Sequence, residues 1–139
     1  MSRKTAREIA MKLVFSRLLG GGGDYAELLD LSGLEGDRPD EADKQYANTI
    51  LTGIEAHQSE IDAAINSQSY GWTAEHMPLV DLSILRVAVY EIKFCEDIPE
   101  GVSINEAVEL AKLFGGEKSS AYINGVLGGI LRAQEQQPE

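Results

Sequence analysis

Apolar residues recur at helical spacing along nearly the whole chain, and runs of strict alternation are scarce. Between Lys4 and Leu19, the residues Ala6, Ile9, Ala10, Leu13 and Leu18 fall on one stripe, with Arg3, Lys4 and Arg7 elsewhere around the wheel. Thr5 and Glu8 have the spacing of a capping box, with Ser2 an equal candidate for the cap. Gly20 to Gly23 stop this helix, because consecutive glycines are too costly in a helix interior. Tyr25 to Leu31 can form a short second helix. A polar connection from Ser32 to Pro39 leads into Asp40-Glu41-Ala42-Asp43, an acidic first turn that suits a helix dipole. The spacing predicts a third helix to about Glu55 and a fourth from Ser59 to near Ser69.

The second half of the chain is more strongly patterned. Thr73 is a suitable cap for a turn ending at Pro78, after which Leu79 to Cys95 is apolar over most of its wheel. Such a helix belongs in the middle of a bundle. After Pro99, Ser103 and Glu106 have capping-box spacing, and Ile104, Ala107, Val108, Leu110 and Ala111 make a buried stripe. Gly115 and Gly116 stand where a left-handed C-cap is expected, and a last helix restarts around Lys118 to Ser120. Asn124-Gly125 is a strong hairpin signal elsewhere. Here its flanks, Tyr122-Ile123 and Val126-Leu127, are too short to alternate, so a helix is expected in which Gly125, Gly128 and Gly129 admit a neighbouring helix. The tail after Leu131 should fray. The reading is all-α, with about seven helices, no sheet and a single domain over residues 1–139.

Composition narrows the class. A chain of 139 residues with 43% hydrophobic and 25% charged residues is an ordinary globular domain. No apolar run approaches the ~20 residues that span a bilayer, and Cys95 is the lone cysteine, so a reducing, cytoplasmic setting is expected. Net charge is −11, yet the charges are segregated. The first seventeen residues hold Arg3, Lys4, Arg7, Lys12 and Arg17 against Glu8 alone, while the remainder carries 7 basic and 22 acidic residues. That is a cationic arm on an anionic body.

No catalytic or metal-binding constellation is present. His57 and His76 are isolated, Cys95 follows an apolar run as a small hydrophobe would, and no cofactor is expected. Gly115-Gly116-Glu117-Lys118-Ser119 echoes a phosphate loop, but Glu117 replaces the required glycine and a helix precedes it. Single-stranded RNA instead requires cations for phosphates and flat or amide side chains for splayed bases. Arg3, Lys4 and Arg7 offer the first on one helical face, joined by Lys118. Tyr122 offers a stacking surface and Asn124 an amide that donates and accepts. Structural readings stand beside these: Tyr122 as a core aromatic, Asn124 as a group holding a helix end, and Asn105, Glu106 and Glu109 as capping and packing residues. Arg86, inside an apolar helix, reads as a paired structural cation.

Three blocks carry a family resemblance. They are Ala6-Arg7-Glu8; Val80-Asp81 with Ile84-Leu85-Arg86-Val87-Ala88-Val89-Tyr90-Glu91; and Ile104 to Lys112 with Phe114-Gly115 and Tyr122-Ile123-Asn124-Gly125-Val126-Leu127. In this order they closely resemble the NusB family of transcription antitermination factors. The resemblance implies two small helical bundles packed together. It implies binding of boxA-type RNA with NusE, a small-subunit ribosomal protein, in antitermination and ribosomal RNA transcription, alongside other Nus factors and RNA polymerase. It places RNA contacts on Arg3, Lys4, Arg7, Lys118 and Tyr122, and NusE contacts at Phe15 and Asp81. Phe15 lacks the hydroxyl that many relatives carry, Ala121 replaces a lysine found in some, and His76 and Leu82 stand where arginine is common. These departures imply weaker RNA binding by the isolated chain and greater dependence on a basic partner. The alternative is a protein-interaction scaffold that binds a NusE-like partner without appreciable RNA affinity.

Overall fold

The structure is a computed structural model that describes residues 4–20, 40–69 and 73–136. Among them are six helices and no strand: α1 Lys4–Leu18, α2 Glu41–Ala56, α3 Gln58–Gln68, α4 Leu79–Phe94, α5 Glu100–Phe114 and α6 Ser119–Gln136. The expected helix at Tyr25 to Leu31, the cap at Ser2 and the glycines after Gly20 lie outside the described residues.

Several helix boundaries have a local cause. Asp40 caps α2 by a reciprocal pair: the Asp43 N–H donates to Asp40 Oδ1 at 2.8 Å, and the Asp40 N–H donates to Asp43 Oδ2 at 3.2 Å. His57 ends α2 and begins α3, and its ring stacks on Phe94 at 4.2 Å. α4 and α5 begin directly after Pro78 and Pro99. The early start of α5 overturns the capping box expected at Ser103, which lies inside the helix. Thr5 likewise lies inside α1. Gly115 is extended, with φ −91° and ψ −176°, and is not left-handed. What excludes a side chain there is crowding, since a Cβ would meet the Ala111 carbonyl oxygen at 2.8 Å and Ser119 Cβ at 2.7 Å.

Packing centres on α4, which touches all five other helices. The helices α1 and α2 pair with each other, as do α5 and α6, while α3 packs on α6. The two groups share α4, so their apolar residues merge into one core that includes Ile9, Leu13, Ile50, Ile54, Ile61, Ile65, Leu85, Ile123 and Leu127. This explains why the α4 sequence is apolar over most of its wheel. Asn124-Gly125 is helical, as expected. Of the three glycines expected to admit a neighbour, only Gly129 meets another helix, where a Cβ would crowd Gln68 of α3; Gly125 has open space over it and Gly128 faces Arg132 of its own helix.

Polar groups cross this core in a few connected places. Glu91 of α4, 1% exposed, accepts from Arg7 Nε of α1 through both carboxylate oxygens at 2.9 Å, from Ser103 Oγ of α5 at 3.0 Å, and from the Tyr46 hydroxyl of α2. Arg86 makes the structural pair expected of it, donating to Asp62 of α3 through Nε at 2.9 Å and Nη2 at 2.8 Å. Buried charges persist only when paired and hydrogen-bonded in this way.

Candidate functional site

The cationic arm is more heavily engaged than its sequence suggests. Arg7 is buried against Glu91, Lys12 pairs with Glu8 at 3.1 Å and lies 4.8 Å over the Phe114 ring, and Arg17 pairs with Glu55 at 2.7 Å. Arg7 is therefore corrected from a phosphate-facing cation to a core ion pair. Lys4 is exposed, and it lines a groove between α1 and α5 with Glu8, Glu106, Glu109 and the exposed Leu113. Arg3 lies outside the described residues.

The C-terminal signature builds two cavities around the start of α6. The first, of about 390 Å³, opens where α1, α4 and α6 meet. Phe15, Leu79, Val80, Phe114 and Tyr122 supply its apolar lining, and Lys118, Ser119 and Asp81 its polar groups. It brings together Phe15, Asp81, Lys118 and Tyr122, four residues singled out in the sequence for two different ligands. Lys118 is exposed at its rim. Tyr122 is half-buried, packs on the core and hydrogen bonds to the Ser69 hydroxyl, which meets its structural reading, and it also lines this cavity.

Asp81 is almost wholly enclosed. It is 2% exposed and accepts from Ser119 Oγ at 2.8 Å, while that hydroxyl in turn accepts from the Gly116 N–H at 2.9 Å. Burial raises its pKa above the ordinary 3.8, a shift that the Ser119 hydrogen bond partly offsets. Asp81 thus forms part of the cavity wall.

The second cavity, of about 520 Å³, lies between α5 and α6 and is lined by Asn124 with Gly101, Ile104, Asn105, Val108, Ser120 and Ala121. Asn105 shares it, although its residue type and position in the sequence suggested only capping or packing. A pair of amides separated by nineteen residues becomes visible as a pair only when α5 and α6 are known to be adjacent. Among the described residues, no group of three or more His, Cys, Asp or Glu could hold a metal ion, and no helix is long and apolar enough to cross a membrane.

Fold and site together define an all-α protein built round a shared central helix, with two cavities at its C-terminal helix pair. Residues 4–132 match the profile of the NusB family. The chain is 42% identical to the transcription antitermination protein NusB of Clostridium botulinum (strain Loch Maree / Type A3), covering 94% of this chain and 100% of that protein. Among solved structures, T. maritima NusB is similar with a TM-score of 0.81 at 32% identity, covering 99% of this chain and 94% of that one. A structure of antitermination factors NusB and NusE in complex with dsRNA is similar with a TM-score of 0.78 at 25% identity, covering 94% of this chain and 96% of that one. This chain belongs to the NusB family.

Proposed function

We propose that this chain is a transcription antitermination factor that binds boxA-type single-stranded RNA together with NusE in ribosomal RNA transcription. It acts in the cytoplasm as a single domain over residues 1–139, without catalysis, in company with other Nus factors and RNA polymerase. The observation that carries this reading is the cavity at the junction of α1, α4 and α6, where exposed Lys118 and the Tyr122 ring adjoin Phe15 and Asp81. A phosphate-binding cation and a stacking surface beside an apolar cleft suit an RNA strand and a protein partner held next to each other. A relative solved with NusE and RNA supports the same pairing.

In this reading Arg3, Lys4 and Lys118 contact phosphate, Tyr122 stacks and Asn124 meets a base. Phe15 and the Asp81 wall receive NusE, and Arg7 holds α1 in place. Three phosphate contacts give a log–log salt slope of about −2 for single-stranded RNA. Titration of a labelled boxA-type RNA at several salt concentrations, with and without NusE, checks this. Replacing Arg3 and Lys4 together should bring the slope to about −1 and weaken all sequences alike, because phosphate contacts position without specifying. If that variant binds as well as the parent, alone and with NusE, the cationic arm is only a solvated helix end.

The scaffold reading has its own observation in its favour. Among the described residues, Arg7, Lys12 and Arg17 are each taken up by an intramolecular ion pair, on a chain of net charge −11. It predicts intact NusE binding with no RNA binding at any salt.

A further inference from the structure

We infer that the cavity between α5 and α6 is a pocket for one splayed nucleobase, with Asn105 and Asn124 reading its edge. The inference rests on the RNA-binding reading above and assigns a residue, Asn105, that it does not use. Asn105 and Asn124 come from different helices, both are exposed, and neither side chain makes a hydrogen bond among the described residues. Each amide offers donors and an acceptor, the pattern that pairs with the edge of a base.

The rest of the lining fits the same ligand. Ile104 and Val108 give an apolar floor, Ser120 adds a hydroxyl, and no lining residue is charged, so the cavity suits a neutral planar group and not a phosphate. Lys118, which forms no ion pair among the described residues, stands one turn before Ala121 and Tyr122, so a backbone held there can deliver the next base to the pocket. Gly101 on the cavity wall and Gly125 beside Asn124 both have open space where a Cβ would stand. A glycine inside a helix costs stability against alanine, and no neighbour within the protein requires either one. Gly101, on the wall itself, leaves backbone bare one turn before Asn105, as close approach of a ligand requires.

The experiment is an abasic scan of a labelled boxA-type single-stranded RNA, with NusE present, against the parent, Asn105→Ala and Asn124→Ala. Thermal melts accompany each titration and should match the parent, since both side chains are exposed and unbonded. In the parent, one abasic position should lower affinity about tenfold. Each asparagine variant should bind the intact RNA about fivefold or more weakly, with an unchanged salt slope. At the critical position, removing the base should cost the variants no more than about twofold, against tenfold in the parent, because base and amide report one interaction. Equal affinity of parent and variants, or losses that simply add at every abasic position, would overturn the pocket while leaving RNA binding standing. A weakened affinity for NusE with RNA binding unchanged would overturn it in favour of a protein contact. Failure of the parent to bind RNA at all, with or without NusE, removes the function proposed above and the pocket with it.

Discussion

Asp81 shows how burial changes what a residue type can do. In the sequence it is one acid among twenty-three and a natural candidate for attracting a basic partner. In the fold its carboxyl is walled in and bonded to Ser119, and burial raises its pKa. A raised native pKa means that the folded state takes up a proton before the unfolded chain does as the pH falls. The contribution of Asp81 to stability therefore grows as pH drops through its native pKa, levels off below about 3.8, and is lost as pH rises. Asp81→Asn should remove this dependence, so that its stability relative to the parent is greatest at neutral pH and falls toward acid. Denaturant midpoints of both proteins across that range check the sign. Asp81→Lys should unsettle the fold, since it buries a cation with no carboxylate to meet it.

Helices were the most readable part of the chain because their signal is spread over many positions. α2, α3 and α4 fall within a residue or two of the ranges that apolar spacing implies. Their ends were harder to read, because a cap depends on one or two residues. Ser103 and Glu106 have the right spacing for a cap, but Pro99 allows α5 to begin a turn earlier and Ser103 is left to serve Glu91. The same limit governs the site. Lys118 and Tyr122 were readable as a local pair, whereas Arg7 was misread because its partner lies eighty-four residues away. The shared position of α4 makes a direct stability prediction. Leu85 is 0% exposed, and Leu85→Ala should cost about 2–5 kcal/mol by denaturant unfolding. Arg17→Ala, which breaks only the exposed pair with Glu55, should cost under about 1 kcal/mol by the same measurement.

Taken whole, the molecule carries two kinds of polar interaction that separate by depth. Exposed pairs, such as Lys112 with Glu109 at 3.7 Å, contribute little and leave the surface strongly anionic. Such a surface repels RNA at long range, so attraction must come from a few cations near the ligand or from a basic partner. The buried pairs do something else. Arg7, Tyr46 and Ser103 all converge on Glu91, and no one of their helices can leave without removing a partner from a carboxylate in the core. Partial opening is therefore penalised more than the loss of apolar contact alone would suggest. In amide hydrogen exchange, α1, α2 and α5 should open as one cooperative unit, with the slowest protons of all three exchanging at a common rate. Glu91→Gln weakens the shared anchor and should let α1 exchange ahead of the others. Separate exchange of α1 in the parent would mean that Glu91 holds its partners without coupling their release.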